Sequence, residues 1–162
     1  MGWVAIFAIV LFLYSQRDRL GEFTRETGSK LPILTDQRTE GQTLRIAMAR
    51  DGHFWAEGKI NGTSAHFLID SGATITALSQ SVAQRAGLAI DMDGPGVMMK
   101  TANGSIVARR SSVAGLTVGP IQTNDLPVVV SDSFEGINVL GMNFLSRLKS
   151  WRVERNEMVL EP

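Results

Sequence analysis

The hydrophobic pattern divides the chain into an apolar start, a polar stretch and a region of short strands. Residues 3–14 are twelve consecutive apolar positions, and a polar cluster begins at Ser15. Residues 15–41 show no sustained apolar period and contain glycine and proline, which is typical of a linker. Beyond them, apolar and polar residues alternate at period two, as over residues 44–48. This alternation predicts half-buried β-strands.

Turn dipeptides divide the strand region into three predicted hairpins. Asn61-Gly62 is the sequence most favoured in a two-residue hairpin turn, Asn103-Gly104 repeats it, and Arg155-Asn156 is the third candidate. Each dipeptide lies between two short runs that can form strands. The predicted strand pairs are 54–60 with 64–69, 97–101 with 105–109, and 151–154 with 158–160.

Helical signals are few. Residues 79–86 predict one helix, because Ser79 suits the N-cap and Gly87 suits the position after the last turn. Residues 142–148 predict a second, short helix. The pattern therefore predicts an all-β domain over residues 43–162 with one or two short helices, preceded by a linker at residues 17–42.

The apolar start has the character of a membrane segment. With Met1 and Gly2 it is 14 residues long, about a turn shorter than the roughly 20 residues that span a bilayer. A short anchor helped by its flanks, a signal-peptide core and a buried core helix are the alternatives. No basic segment precedes it and no small-residue cleavage site follows it, which favours an uncleaved anchor. We therefore expect a single-pass N-terminal membrane helix at residues 1–16, with the side of the membrane left open.

Composition excludes several kinds of chemistry. The chain has no cysteine, so it offers no disulfide and no thiolate ligand or nucleophile. Its 16 basic and 16 acidic residues balance, whereas proteins that bind a phosphate backbone usually carry a basic patch. We therefore expect no nucleic-acid partner. His53 and His66 lie apart without clustered carboxylates, and no phosphate-binding glycine loop occurs, so we expect neither a metal nor a cofactor.

The chemically informative motif follows the first predicted hairpin. An apolar strand ends on Asp70, and Ser71, Gly72, Ala73 and Thr74 follow. Two carboxylates held close together share one proton, so one can draw a proton from water while the other donates one to a carbonyl. Ser71 can help to fix such a pair, and Gly72 leaves room where backbone and water approach. The same residues also suit a plain turn after a strand, so the motif needs support from elsewhere.

That support comes from a resemblance. Residues 69–74, Ile-Asp-Ser-Gly-Ala-Thr, resemble the active-site motif of the retropepsin-like (clan AA) aspartic proteases, the family that includes the retroviral proteases. Residues 100–104 occupy the place of the flap hairpin, and residues 138–145 the place of the apolar-apolar-glycine segment that packs under the catalytic loop. The resemblance covers residues 44–161. Together with the predicted anchor, the whole chain resembles the membrane-anchored members of the family in bacteria. After Gly141, Met142-Asn143 replaces the basic-acidic continuation of the retroviral pattern.

The resemblance implies a fold and a set of site residues. The fold is a single-lobe retropepsin-like acid protease β-barrel, and Asp70, Ser71 and Gly72 are its implied catalytic residues. The resemblance also implies that the site is supported by Ala73 and Thr74. The flap that binds substrate is implied to consist of Thr101, Ala102, Asn103 and Gly104. The segment beneath the site is implied to consist of Val139, Leu140 and Gly141.

A count of the aspartates implies a second subunit. Only Asp70 is followed by Ser-Gly, and none of the other aspartates precedes such a pair. A carboxylate pair therefore needs Asp70 from two copies in a two-fold homodimer. By analogy with the terminal strands of the family it resembles, residues 151–162 are our candidate for part of the dimer sheet. The implied function is a membrane-tethered aspartic endopeptidase of the bacterial inner membrane that cleaves a protein or peptide. The alternative is a non-proteolytic binding or dimerisation module with the same fold.

Overall fold

The computed structural model describes residues 35–101 and 104–162. The predicted anchor at residues 1–16 lies outside these ranges, and no helix within them is long and apolar enough to cross a bilayer. The compact unit that spans Thr35–Pro162 contains a strand at Gln37–Glu40, inside the segment predicted as linker. Three of the four residues of this strand are exposed, so its sequence carries no alternation that could have revealed it.

The described chain consists of strands and two short helices. Their bounds are β1 Gln37–Glu40, β2 Thr43–Ala47, β3 Trp55–Ile60, β4 Thr63–Ile69, β5 Thr76–Ser79, α1 Gln80–Arg85, β6 Val97–Thr101, β7 Gly104–Val118, β8 Ile121–Ser131, a 3-10 turn Asp132–Phe134, β9 Asn138–Leu140, α2 Met142–Leu145, β10 Ser150–Glu154 and β11 Glu157–Glu161.

The strands form two sheets. A four-stranded antiparallel sheet has the order β1-β2-β11-β10, and a seven-stranded sheet has the order β3-β4-β9-β5-β8-β7-β6. An additional pairing of β3 with β7 closes the larger sheet into a barrel, from which β6 projects with the first part of β7. β9 runs parallel to β4 and antiparallel to β5. The predicted all-β barrel with two short helices is confirmed.

Two of the predicted hairpins have the predicted turns. Asn61 and Gly62 join β3 to β4 with φ values of 48° and 83°, the left-handed pair that a two-residue turn requires. Arg155, with φ of 57°, begins the turn between β10 and β11. Local turn chemistry was therefore sufficient to place both hairpins.

The hairpin of β6 and β7 differs from its prediction by one residue. Thr101 pairs with Gly104, so residues 102 and 103, which lie outside the described ranges, form the connection, and Gly104 is the first residue of β7. The φ of Gly104 is 118°, a backbone angle that glycine adopts without strain, so Gly104 can begin the strand directly after the connection. β7 then continues to Val118 and pairs with β8 across Gly119-Pro120, a long hairpin that the hydrophobic pattern did not predict.

The helices agree with the prediction at their starts. The Ser79 hydroxyl accepts a hydrogen bond from the Val82 amide at 3.4 Å and caps α1, and Gly87 follows with φ of 65°. α2 ends at Leu145 instead of residue 148, because the amides of Arg147 and Leu148 donate to carbonyls three residues back, a tighter turn than an α-helix.

One hydrophobic core joins both sheets and α2. Its fully buried members include Leu44 and Ile46 of β2, Phe67 of β4, Phe144 of α2 and Leu160 of β11. Each such side chain contributes roughly 1.5–3 kcal/mol by leaving water. Because Phe144 belongs to this core, the segment that follows Gly141 is firmly fixed to the barrel.

Candidate active site

Strand β4 carries the sequence-predicted carboxylate to the end of the barrel. Phe67 and Ile69 of this strand are buried, which fixes its register, and Asp70 follows directly with a half-buried side chain. The amide of Asp70 donates a hydrogen bond to the Leu140 carbonyl at 3.1 Å, continuing the parallel pairing of β4 with β9. The backbone of Asp70 is therefore held by a strand that is distant in sequence.

The turn after Asp70 orients its carboxylate. The Gly72 amide donates to Asp70 Oδ1 at 2.8 Å, and the Ala73 amide donates to the Asp70 carbonyl at 3.2 Å. A Cβ on Gly72 would lie 3.0 Å from Asp70 Oδ1, so glycine leaves the carboxylate room to receive this amide. Ser71 and Gly72 are exposed, and the site is therefore open at this end of the subunit.

Residues 139–142 lie directly against the loop that follows Asp70. The Met142 amide donates to the Ala73 carbonyl at 2.7 Å. A Cβ on Gly141 would lie 2.7 Å from the Ala73 carbonyl oxygen and 2.8 Å from two backbone atoms of Ile75. Gly141 is thus a point of close backbone approach, and Val139 and Leu140 precede it in β9.

Asn143 ties this segment to two further strands. Its side-chain oxygen accepts hydrogen bonds from the Thr76 amide at 2.8 Å and the Thr76 hydroxyl at 2.9 Å. Its side-chain nitrogen donates to the Pro127 carbonyl of β8 at 2.7 Å, and its amide donates to the carbonyl of Thr74, an exposed residue, at 3.2 Å. One of the two residues that depart from the retroviral pattern therefore cross-links the strands behind the site.

A second asparagine braces the other end of β9. The Asn138 side-chain oxygen accepts from both the amide and the hydroxyl of Ser79, at 3.0 and 3.1 Å, and its nitrogen donates to the His66 carbonyl at 3.0 Å. Asn138 is 3% exposed, so these bonds satisfy a buried amide. Its partners are distant in sequence, so no local pattern in the sequence could reveal this role.

A small apolar cluster extends from the site towards the hairpin of β6 and β7. Ala77, Ala108 and Val129 form its buried centre, apart from the main core. Four half-buried residues pack on this centre, namely Ile75, Met99, Phe134 and Val139. Ile75 belongs to the loop after Asp70 and Met99 to β6, so the cluster is an apolar surface that joins the site to the predicted flap. We call it the apolar floor.

The predicted flap is a strand pair whose tip lies outside the described ranges. Thr101 and Gly104 are exposed, and the Thr101 hydroxyl donates to the Gly104 carbonyl at 2.9 Å. Ala102 and Asn103 are the two residues between them, and the structure does not describe them. Among the described residues no group of three or more metal-binding side chains is present.

The sequence of this chain is similar to a known protein family and to two bacterial proteins. Residues 56–147 match the family described as "gag-polyprotein putative aspartyl protease". An uncharacterized protein of Rickettsia prowazekii (strain Madrid E) is 27% identical over 158 residues, covering 98% of this chain and 68% of the relative. An uncharacterized protein in the cobV 5′ region of a Sinorhizobium species is 26% identical over 164 residues, covering 98% and 70%.

The fold of this chain is also similar to that of a solved structure. The crystal structure of a retropepsin-like aspartic protease from Rickettsia conorii is similar to this chain with a TM-score of 0.59 and 27% identity, over 78% of this chain and 95% of that one. Since the family match spans more than half of the sequence, the chain belongs to this aspartyl protease family. The predicted retropepsin-like family and barrel are thereby confirmed, and the membrane-anchored type stays a prediction.

Proposed function

We propose that this chain is an aspartic endopeptidase whose active site is completed by two copies, each contributing Asp70. The observation that carries the proposal is the placement of Asp70 at the end of β4, held by the Leu140 carbonyl and by its own turn. The family and the Rickettsia conorii neighbour support a protease of this class. The chain has one Asp-Ser-Gly motif, so a pair of such carboxylates requires a homodimer.

The chemistry follows from the properties of a paired carboxylate. Two carboxyl groups a few ångströms apart retain one proton between them, because both cannot be ionised comfortably. The ionised member takes a proton from water while the water oxygen bonds to the peptide carbonyl carbon, and the protonated member donates to the carbonyl oxygen. The carbon–nitrogen bond then breaks as the leaving nitrogen takes a proton, and a carboxylic acid and an amine result.

The substrate is an extended peptide that lies across the Asp70 loop, beside the apolar floor and along the hairpin of β6 and β7. An extended chain bonds to a strand edge through its backbone, and pockets for alternate side chains then supply preference. The floor presents Ile75, Met99, Phe134 and Val139 beside the Asp70 loop. We therefore expect a preference for apolar side chains next to the cleaved bond.

Replacement of the carboxylate tests the mechanism. Asp70→Asn keeps the size of the side chain and removes its proton chemistry, so cleavage of a peptide library between acid and neutral pH should fall to background. Asp93→Asn is the matched control, because Asp93 is an exposed aspartate in a loop. Full cleavage by Asp70→Asn would refute the mechanism, and binding of peptides without cleavage by the unmodified chain would favour the non-proteolytic module.

We further propose that residues 1–16 tether the enzyme to a bacterial inner membrane as a single-pass anchor. A tether confines both copies to a plane and raises their effective concentration, which favours a weak dimer. Deletion of residues 1–16 should release the chain from sedimented membranes. Digestion of intact and opened cells by an added protease identifies the side on which the domain lies. Release of the full-length chain by a salt wash alone would refute the anchor.

A further inference from the structure

A cavity lies on the side of β7 that faces away from the apolar floor. Side chains alternate along a strand, so Val107 and Arg109 point to the opposite side from Ala108, which is buried in the floor. On that opposite side the structure contains a cavity of about 290 Å³. Its apolar lining residues are Ile90, Met92, Val107 and Val130, and its charged lining residues are Arg109 and Asp132. The cavity is therefore separate from the surface on which we propose that substrate lies.

The loop of residues 89–94 forms one wall of this cavity and is held against β7. The Ser111 hydroxyl donates a hydrogen bond to the Ala89 carbonyl at 2.7 Å. The Asp91 amide donates to the Arg110 carbonyl at 2.9 Å. Because these bonds fix the loop from both β7 residues, the cavity is formed by the fold itself, as is usual for small-molecule sites.

The side chain of Arg109 has hydrogen-bond donors to spare. Its Nη1 donates to the Gly94 carbonyl at 2.8 Å, and this is its one side-chain hydrogen bond within the described part of the chain. A guanidinium carries five N–H donors in a fork that matches the two oxygens of a carboxylate. The arginines of the four-stranded sheet pair with glutamates, whereas the half-buried Arg109 has no ion pair among residues 35–101 and 104–162. A carboxylate from outside would therefore stabilise it.

The carboxylate of Asp132 is the second charge in the cavity. Gln80, with its amide oriented so that both of its groups have a partner, donates to Asp132 Oδ1 at 2.7 Å. This donor is neutral, and Asp132 has no ion pair with any described residue, Arg109 included. A positive and a negative charge therefore line one cavity without neutralising each other.

The lining describes the chemistry of a ligand. Two separate opposite charges fit a molecule that carries both a carboxylate and an ammonium group. Met92 and Val107 are 65% and 58% exposed, so an aliphatic group placed on them would leave water together with them. The volume of about 290 Å³ is at the lower end of the range of ligand pockets, which suits one small molecule. An α-amino acid with an aliphatic side chain has all of these features.

We propose that this cavity binds a zwitterionic α-amino acid with an aliphatic side chain. Its carboxylate bonds to Arg109, its ammonium group to Asp132, and its side chain packs on Met92 and Val107. Because Arg109 belongs to β7 and Asp132 to the turn after β8, the ligand joins the base of the hairpin of β6 and β7 to the barrel. The site goes beyond the proposed function and does not depend on it.

Binding of leucine and of three analogues tests the proposal on the unmodified chain. In amide NMR spectra of the full chain in detergent micelles, leucine should shift the cross-peaks of Val107, Arg109 and Ser133. Leucinamide lacks the carboxylate, N-acetyl-leucine lacks the ammonium group, and glycine lacks the side chain. Each analogue should bind at least about ten-fold more weakly than leucine. Equal affinity for leucine and any one analogue, or no shift at these three residues, overturns the proposal.

Variants assign each charge of the ligand to its partner. Arg109→Gln should weaken leucine binding about ten-fold and leave the weaker binding of leucinamide unchanged, because leucinamide has no carboxylate to lose. Asp132→Asn should weaken leucine binding in the same way and leave N-acetyl-leucine unchanged. The matched controls are Arg110→Gln and Asp36→Asn, two exposed residues outside the lining, which should bind leucine as the unmodified chain does. Losses as large in the controls would refute the assignment.

A conservative variant separates charge from structure at Arg109. Arg109→Gln also loses the bond to the Gly94 carbonyl, so a loss of binding alone could reflect a displaced loop. Arg109→Lys keeps the positive charge and should recover part of the affinity for leucine. If Arg109→Lys binds leucine no better than Arg109→Gln while both keep the cross-peak pattern of the unmodified chain, the role of the charge is refuted. The four probes need no variant, so they decide the matter if Arg109→Gln does not fold.

Discussion

Gly141 is the position where the smallest change of side chain should displace the active-site loop. Its φ of −93° suits any residue, so the backbone conformation does not require glycine. Glycine is required at residue 141 because a larger side chain does not fit. A Cβ would lie 2.7 Å from the Ala73 carbonyl oxygen and 2.8 Å from the carbonyl carbon and oxygen of Ile75. These atoms belong to the loop after Asp70. Alanine at residue 141 must therefore push that loop or β9 away.

The size of the effect follows from these distances. Ordinary contact begins at 3.4 Å, so the backbone must yield by about 0.6–0.7 Å, the difference between 3.4 Å and the distances to the Cβ. Overpacking of this kind costs about 1–3 kcal/mol, and lengthening the bond from the Met142 amide to the Ala73 carbonyl adds about 1 kcal/mol. We expect Gly141→Ala to lower the free energy of unfolding by about 2–4 kcal/mol and the cleavage rate by roughly ten- to a hundred-fold.

Urea unfolding followed by tryptophan fluorescence measures the first quantity. Gly115→Ala is the matched control, because a Cβ there has its nearest neighbour, Asn124 Oδ1, at 4.0 Å. The control should stay within about 0.5 kcal/mol of the unmodified chain. Hydrogen exchange at the Met142 amide should accelerate only in Gly141→Ala. Equal stability and equal exchange in the two variants would refute the idea that close approach is the reason for glycine at residue 141.

Two further predictions concern the asparagine brace and the charged face. Asn143→Ala leaves the buried Thr76 hydroxyl and amide without their acceptor, so the free energy of unfolding should fall by about 1–3 kcal/mol, whereas the exposed Gln122→Ala should change little in the same urea assay. Hydrogen bonds from arginine side chains lower the pKa of four glutamates below the ordinary value of 4.5. Their stabilisation should therefore be complete above about pH 4.5 and be lost as the pH falls through the lowered pKa values. Thermal unfolding between pH 7 and pH 3 should show this loss, and 1 M NaCl should reduce it; the same loss at both salt concentrations would contradict the assignment. The largest effects come from Arg38 on Glu40 and Glu157 and from Arg152 on Glu154 and Glu161, and Arg45 also bonds to Glu40 and Glu154.

The features that could be predicted are those in which all determining residues are neighbours in the chain. Asn61-Gly62 places a turn because left-handed conformations are local properties of those residues. Ser79 caps α1 through an amide three residues away. The strand that ends before Asp70 and the turn that follows it were predicted in the same way, since the apolar residues before Asp70 and the glycine after it are neighbours in the chain.

The features that were missed depend on distant pairs. Asn143 bonds to Thr76 across 67 residues and Asn138 to Ser79 across 59, so neither brace leaves a pattern in any short window. The apolar floor was missed for the same reason, because it joins residues of all five strands from β5 to β9. β1 lacks apolar alternation and is recognised only through its pairing with β2.

The sequence by itself determined that a carboxylate follows a buried strand, that a tight turn comes after it and that one chain has one such motif. Only the tertiary structure decided that β9 and Gly141 lie beneath that turn, that β11 is enclosed in its sheet and that β10 is left at the edge. The reason is physical. Backbone hydrogen bonds between strands are nearly the same for every sequence, so strand order is chosen by which arrangement of the whole chain buries its apolar faces.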